Sequence, residues 1–253
     1  MDGLILAAGY ATRLQPLTDD FPKHLLPVGG RPMVDWIVDK LEEADVADVH
    51  LVTNARFAHV FEEWADGKAV IVHDDGTTTN DDRLGAIGDI RFVQERAALD
   101  DDLLVIAGDN LFDYSLVDFV AFWRSKGDAS ALAVHDVRDV DLARKYGIVD
   151  LDGDDRIVGF VEKPEDPPST LAATATYLYA REHAALVATY LADGNPPDQP
   201  GNYVAWLHGR VPVYAYRFAG GWYDIGDAGQ LLEADNLMRR RAGLPTRETY
   251  SRE

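Results

Sequence analysis

Cysteine is absent from the 253 residues, so no disulfide ties the chain and no thiolate holds a metal. Any catalytic cation must sit on oxygen or imidazole ligands. Lysine is scarce, with six residues, and basic residues as a whole number 24 against 44 acidic ones, a formal net charge of -20. That balance excludes broad attraction to nucleic acid. Asp far outnumbers Glu and Arg outnumbers Lys, which fits either adaptation to high salt or a GC-rich genome, and both readings stay open. No apolar run approaches a membrane span. The N-terminus, MDGLILAAG, carries an acid where a signal peptide needs positive charge, and its apolar run breaks at Gly9. A soluble, cytoplasmic protein with no membrane partner is the expectation.

What is present is enough apolar material for a substantial core, 47% of the residues. Short β-rich apolar runs alternate with amphipathic stretches: a strand at residues 4–8, a helix at 32–44, the strand VHLVTN, a helix at 56–66, the strand AVIVHD, a helix at 84–96 and the strand LLVIAGD. The last is continuously apolar, as strands buried on both faces are. The alternation argues for a doubly wound, mainly parallel sheet whose ligands gather at the carboxyl ends of the strands. The second half changes character. A hairpin is expected in GIVDLDGDDRIVGFVEK, strands in ATATYLYA and VPVYAYRF, and helices at 182–193, 202–209 and 227–241, which extend the sheet in mixed fashion. The Pro-rich loops KPEDPPS and GNPPDQPGN are too short to be interdomain linkers. One domain over 1–253 is expected, with no internal repeat and a polar, flexible tail at about 242–253.

Chemistry should therefore sit after strands. After the first strand, the small residues of LILAAGYATRL let backbone N–H groups approach a phosphate, and Arg13 adds a bidentate cation. By itself this is also a description of a tight turn with a surface arginine. The following LQPLTDDFPKHLLPVGGRPMVDW returns Lys23 toward the same loop, so two cations are expected at one pocket. Asp109 follows the buried strand LLVIAG, and Asp224 sits in WYDIG; two carboxylates make a hard-cation site for Mg2+ when phosphate oxygens and water complete it. Taken alone, Asp109 has a second, lesser reading as the N-cap of the helix in YSLVDFVAFW. The histidines show no spacing for metal or triad chemistry and read as structural or surface residues.

The run LAAGYATRLQPLTDDFPKHLLPVGGRPM resembles the signature of the sugar-1-phosphate nucleotidylyltransferases, the family that includes glucose-1-phosphate thymidylyltransferase and uridylyltransferase. The resemblance continues in order through VIAGDN, YGIVDLD, VEKP and WYDIGD and covers nearly the whole chain. It implies a Rossmann-like, doubly wound mixed, mainly parallel α/β sheet of the nucleotide-diphospho-sugar transferase (GT-A-like) type. No hexapeptide β-helix follows, which disfavours the fused acetyltransferase and ADP-glucose types. It further implies an NTP and a sugar 1-phosphate as substrates, bound mainly by the N-terminal and the C-terminal half respectively, Mg2+ as cofactor, and leaves room for a homo-oligomer. Residue by residue it gives Arg13 the β- and γ-phosphates of the leaving pyrophosphate, Lys23 a place near the reacting phosphates, and Asp109 and Asp224 the metal. Lys163 would position the sugar phosphate, Glu162 the sugar hydroxyls, and the Gly147 backbone the ring.

The resemblance thins at the base. With Gly85 matched to the family's glycine, Asn80 falls where thymidylyltransferases carry glutamine. Its amide still offers a donor and an acceptor to a pyrimidine, with the backbone of Ala8 and Gly9 close by. dTTP or UTP is the expected donor and glucose 1-phosphate the first acceptor to try; Arg83, in the unusual RLGAIGD, leaves another acceptor open. A cytidylyltransferase acting on another phosphorylated acceptor and a non-catalytic nucleotide-sugar-binding protein stand as alternatives. A dinucleotide-dependent oxidoreductase would need the G-x-G-x-x-G that this chain lacks.

Overall fold

A strand buried on both faces must lie inside a sheet covered by helices on either side, and the computed structural model, which describes residues 1–252, is built on that plan. The first strand, β1 (Asp2–Leu6), ends in a loop with short 3-10 turns at Thr12–Leu14 and Lys23–Leu25, then a small hairpin of β2 (Pro27–Val28) and β3 (Arg31–Pro32). Four elements follow in strict alternation: α1 (Met33–Glu43), β4 (Val49–Thr53), α2 (Ala58–Ala65) and β5 (Val70–Asp74). Next come α3 (Ala86–Ala97), β6 (Leu103–Ala107), a short β7 (Asn110–Phe112) and α4 (Leu116–Ser125). Ser115, not Asp109, caps α4, accepting from the Asp118 amide at 3.3 Å. Asp109 is therefore left free of that structural duty.

The second half runs β8 (Ser130–Asp136), the short α5 (Val140–Ala143), the expected hairpin of β9 (Gly147–Leu151) and β10 (Ile157–Glu162), and β11 (Leu171–Tyr179). It closes with α6 (Arg181–Ala185), α7 (Val187–Ala192), α8 (Pro200–Leu207), β12 (Val213–Arg217), β13 (Trp222–Asp224) and α9 (Ala228–Arg241).

Nine strands form one mixed sheet. Its order is β10-β9-β11-β6-β1-β4-β5, with β8 and β12 branching from β11. The first half is wholly parallel: β1 lies between β4 and β6, with Leu4 level with His50 on one side and Val105 on the other. In the second half β11 runs antiparallel to β6, β8 and β9. It can join three partners because it kinks at Ala175, whose φ of 52° breaks the register between Ala173 and Tyr177. One apolar layer packs α3 and α6–α8 against the sheet, around Leu4, Val105 and Tyr203; the other packs α1, α2 and α4, around Ile5, Leu51 and Phe119.

A third, smaller cluster seats α9 on the long loop after β1, through Leu14, Ile225 and Leu231. The stretch expected to be a flexible tail makes defined contacts here: the Tyr250 hydroxyl donates to the Pro27 carbonyl at 2.9 Å, and the Arg247 amide to Asn236 Oδ1 at 2.7 Å. Glu253 lies outside the described residues. No helix of the described residues is long and apolar enough to cross a membrane.

Candidate active site

A cavity of about 780 Å3 opens where β1 and β6 end, between the loop after β1 and the β9–β10 hairpin. Ten of the eleven residues singled out in the sequence line it. Ala8, Gly9, Arg13, Asn80 and Gly85 lie on the first-half side, and Asp109, Gly147, Glu162, Lys163 and Asp224 at the middle and on the second-half side. Lys23, the eleventh, is not on the wall. It is buried behind Asp109, with Nζ donating to Asp109 Oδ2 at 2.7 Å.

The loop after β1 is shaped by buried partners. Asn54 Nδ2, at the end of β4, donates to the Ala8 carbonyl at 2.9 Å, and Thr18 Oγ1 to the Ala11 carbonyl at 3.0 Å, holding Ala11 at φ 46°. Leu14 is fully buried, which pins the 3-10 turn and projects Arg13 over Gly226. Among the described residues Arg13 has no hydrogen-bond or ion-pair partner. An unpaired guanidinium on the wall of a cavity is an anion-binding group.

Asp109 and Asp224 meet through a two-stranded ribbon. β7 pairs antiparallel with β13, setting Asn110 opposite Asp224, and the Ile225 amide donates to the Asp109 carbonyl at 3.1 Å. Trp222 Nε1 donates to Asn110 Oδ1 at 2.6 Å, and Asn110 Nδ2 to Asp109 Oδ1 at 2.8 Å, so the indole fixes the amide and the amide fixes the carboxylate. Burial works against ionisation of Asp109, but the charge and hydrogen bond of Lys23 and the Asn110 amide outweigh it and hold the carboxyl below its usual range. Asp224 moves the other way. Burial and the negative charge of Asp109 raise it, against the opposing charges of Lys23, Arg13 and Lys163. Three cations and a second carboxylate thus converge on one group.

No cluster of three or more His, Cys, Asp or Glu suited to a cation occurs among the described residues. The donor set is two carboxylates alone. It fits Mg2+, which is commonly held by one or two carboxylates with phosphate oxygens and water supplying the rest.

On the opposite wall, the β9–β10 register puts Gly147 level with Glu162. A Cβ at Gly147 would stand 2.5 Å from Phe160 Cζ and 2.9 Å from Glu162 Oε2, so only glycine leaves the carboxylate where it is. Burial raises Glu162, and Lys163, with Nζ 3.8 Å from Glu162 Oε1, opposes the rise. Lys163 itself has φ 47°, held by its amide donating to the Tyr146 carbonyl at 3.0 Å. A left-handed backbone at a non-glycine residue is a strain that cavities of this kind often carry. Gln199, which precedes α8, completes the group: with its amide nitrogen toward Glu162, it reaches Glu162 Oε1 at 3.0 Å and accepts from Lys163 Nζ at 3.1 Å.

Gly85 caps α3 at φ 79°, and a Cβ there would lie 2.7 Å from the Pro197 carbonyl oxygen, so the 196–201 segment rests directly on the helix start. Arg83 reinforces that seam. It donates to the Asn80 carbonyl at 2.6 Å and to Asp198 Oδ1 at 3.1 Å.

Asn54 and Gln199 lie outside the quoted motifs, and Trp222 lies within WYDIGD without a role assigned to it, because each acts through a partner distant in sequence. A proline at the first turn of α8, directly after Gln199, was the one local sign that residue 199 stands at a helix entrance.

Fold and site together define a nucleotidyl transferase class of protein. The nucleotidyl transferase family model matches residues 2–241, and the chain belongs to that family. It is 30% identical over 257 residues to the UTP–glucose-1-phosphate uridylyltransferase AglF of Haloferax volcanii, covering 97% of this chain and 100% of the relative. It is 30% identical over 248 residues to the mannose-1-phosphate guanylyltransferase of Mycobacterium tuberculosis, covering 97% and 67%. A crystal structure of UDP-glucose pyrophosphorylase with UDP-glucose superposes with a TM-score of 0.80 over 95% of this chain and 98% of that one; at 22% identity it speaks to the fold alone. The chain spans about half the length of other curated relatives that it matches.

Proposed function

We propose that this protein transfers a nucleoside monophosphate from dTTP or UTP to a hexose 1-phosphate such as glucose 1-phosphate, giving a nucleotide sugar and pyrophosphate. The observation that carries the reading is the pair Asp109 and Asp224, set side by side between a wall bearing the unpaired Arg13 and a wall bearing Glu162 and Lys163. Joining two polyanions demands positive charge before any bond changes, and the cations sit where the two substrates would meet.

An oxygen of the sugar 1-phosphate attacks the α-phosphorus in line, and the bond to the pyrophosphate oxygen breaks. No general base is needed, because a phosphate monoester with a second pKa near about 6 is already largely dianionic at neutral pH. Lys163 orients the attacking phosphate while Glu162 accepts from sugar hydroxyls. Arg13 takes the β- and γ-phosphates. Lys23 keeps Asp109 ionised and hydrogen-bonded, ready to act as a ligand. Asp109 and Asp224 would hold Mg2+, which would supply charge neutralisation on the phosphates. Asn80, with the main chain at Ala8, Gly9 and Gly85, reads the base, and an amide so near the backbone favours a pyrimidine.

The test is pyrophosphate release with each of dTTP, UTP, CTP, GTP and ATP against a panel of sugar 1-phosphates in the presence of Mg2+. Release with dTTP or UTP and glucose 1-phosphate supports the reading. Preference for a purine overturns the base assignment, and no release with any pair overturns the catalytic reading itself.

A further inference from the structure

Asp89, buried on the cavity wall, and the half-buried Asp75 carry carboxyl groups that have no place in the chemistry above. Asp75 follows β5, its amide tied to the Thr53 carbonyl at 2.9 Å. Its Oδ1 accepts from both the amide and the hydroxyl of Thr77, each at 2.7 Å, and the Thr77 hydroxyl lies 3.0 Å from the Tyr10 hydroxyl on the loop after β1. Asp89 sits in the first turn of α3, its amide donating to the Gly85 carbonyl at 2.8 Å, and it lines the cavity at 6% exposure. Asp75 Oδ2 and Asp89 Oδ1 are both buried, and no donor from elsewhere in the protein reaches either one. The two carboxyl groups act on each other, and with no other donor at hand their orphaned oxygens are satisfied only when one of the pair carries a proton and donates it to the other.

We infer that Asp75 and Asp89 share one proton, and that this proton holds the loop carrying Asn80 against the first turn of α3 in the shape that receives the nucleobase. The inference rests on the nucleotide reading proposed above. The loop from Asp75 to Gly85 leaves β5 at one end and enters α3 at the other, so the pair acts as a clasp across its two ends. Asn80 and Gly85 lie between the clasped points, and Tyr10 extends the network to the loop of Ala8 and Gly9. Asp75 and Asp89 are thus positioning residues, acting on the base through what they hold.

The surroundings favour a retained proton. Burial and the adjacent Asp75 push the Asp89 carboxyl up to about 8, and burial raises Asp75 as well. The other titratable or charged groups around the network are Asp74, beside Asp75 at the end of β5, Tyr10, through Thr77, and Asp82 and Arg56, which face Tyr10. Only Asp75 and burial act on Asp89 itself. When the proton leaves, two adjacent carboxylates repel across the clasp and the loop parts from the helix.

The experiment is the pH dependence of KM and kcat for dTTP and for UTP, by pyrophosphate release at saturating glucose 1-phosphate, for the wild type, Asp89→Asn and Asp75→Asn. From about pH 7 to about pH 9.5, the wild-type nucleotide KM is expected to rise at least about fivefold, and in either amide variant less than about twofold. The amide supplies permanently the hydrogen that the acid loses, while ionisation of the nucleotide is common to all three proteins. Parallel KM profiles in wild type and both variants overturn the inference.

Thermal unfolding separates its failure from that of the functional reading. Asp89 binds its proton more tightly folded than unfolded, so wild-type stability must fall relative to Asp89→Asn as pH rises from about 4 to about 8, and level off above that. A wild-type Tm that keeps a constant offset from Asp89→Asn across this window overturns proton sharing even if no nucleotide is ever turned over. If Asp89→Asn does not fold, Asp75→Asn carries the same comparison.

Discussion

Lys23 and Asp109, 86 positions apart, form a direct ion pair of 2.7 Å beneath the cavity, with the ammonium almost wholly buried and the carboxylate half-open to the site. A carboxylate kept ionised and oriented in this way is a ready oxygen donor, and its partner Asp224 stands across the β7–β13 ribbon. Asp109→Asn and Asp224→Asn are each expected to lower turnover by at least about a hundredfold while the circular dichroism spectrum stays that of the wild type. Near-normal Mg2+-dependent activity in either variant removes that residue from the cation site.

The two walls predict two different kinetic defects. Lys163→Ala should raise the KM for the sugar 1-phosphate by an order of magnitude or more, with a smaller effect on the nucleotide, whereas Arg13→Ala should impair nucleotide use and, in the reverse direction, pyrophosphate use. Initial rates with each substrate varied in turn make the comparison. Loss of nucleotide affinity alone in Lys163→Ala would falsify the assignment of the acceptor wall.

Gly147 tests the same wall without touching a charge. An added Cβ must displace Phe160 or Glu162, since it would come within 2.5 Å of one and 2.9 Å of the other. Gly147→Ala is expected to weaken sugar 1-phosphate use by about tenfold or more and to leave the nucleotide KM within about threefold. Equal damage to both substrates would mean that the hairpin supports the whole site, not the acceptor alone.

Base choice can be probed at Asn80, whose carbonyl is tied to Arg83 while its residue lines the cavity. Competition between dTTP, UTP, CTP, GTP and ATP at equal concentration should show pyrimidine preference in the wild type, reduced by about tenfold in Asn80→Ala. Unchanged selectivity in the variant points to the backbone as the reader of the base.

Acid stability has its own local source. His50 Nδ1 and His73 Nε2, on neighbouring strands, lie 2.9 Å apart in the core, and burial drives both rings toward the neutral form, His73 down to about 4, with the His50 and Arg96 charges adding to the effect. Because these groups bind protons more readily unfolded, stability is full near neutrality and is lost as pH falls from about 6.5 toward about 4. His73→Gln should show a shallower decline of Tm over that window than the wild type. Identical slopes would assign acid sensitivity to other groups.

Much of the first half was legible in local pattern. Continuous apolar runs such as LLVIA read as strands buried on both faces, amphipathic helices fell between them, and ligands were expected after the strands, where the cavity lies. The β8 strand was missed, since SALAVHD has few β-branched residues and its place is set by pairing with β11 and β12. The tail was expected to be flexible from its polarity, while its contacts with Pro27 and Asn236 depend on surfaces that exist only once α9 has docked.

The sequence by itself determined the kinds of group available and their order: a small-residue loop after the first strand, an arginine and a lysine beyond it, acids after later strands, and a Glu-Lys pair at the end of a hairpin. Only the tertiary structure decided which of them meet. Asp109 and Asp224 become neighbours through ribbon hydrogen bonds between segments more than a hundred positions apart, and strand pairing of that kind has no periodicity to read along the chain. Lys23 was expected to face the pocket and instead lies buried against Asp109, because once it is desolvated the ammonium needs a carboxylate within hydrogen-bonding distance, and the fold presents one there.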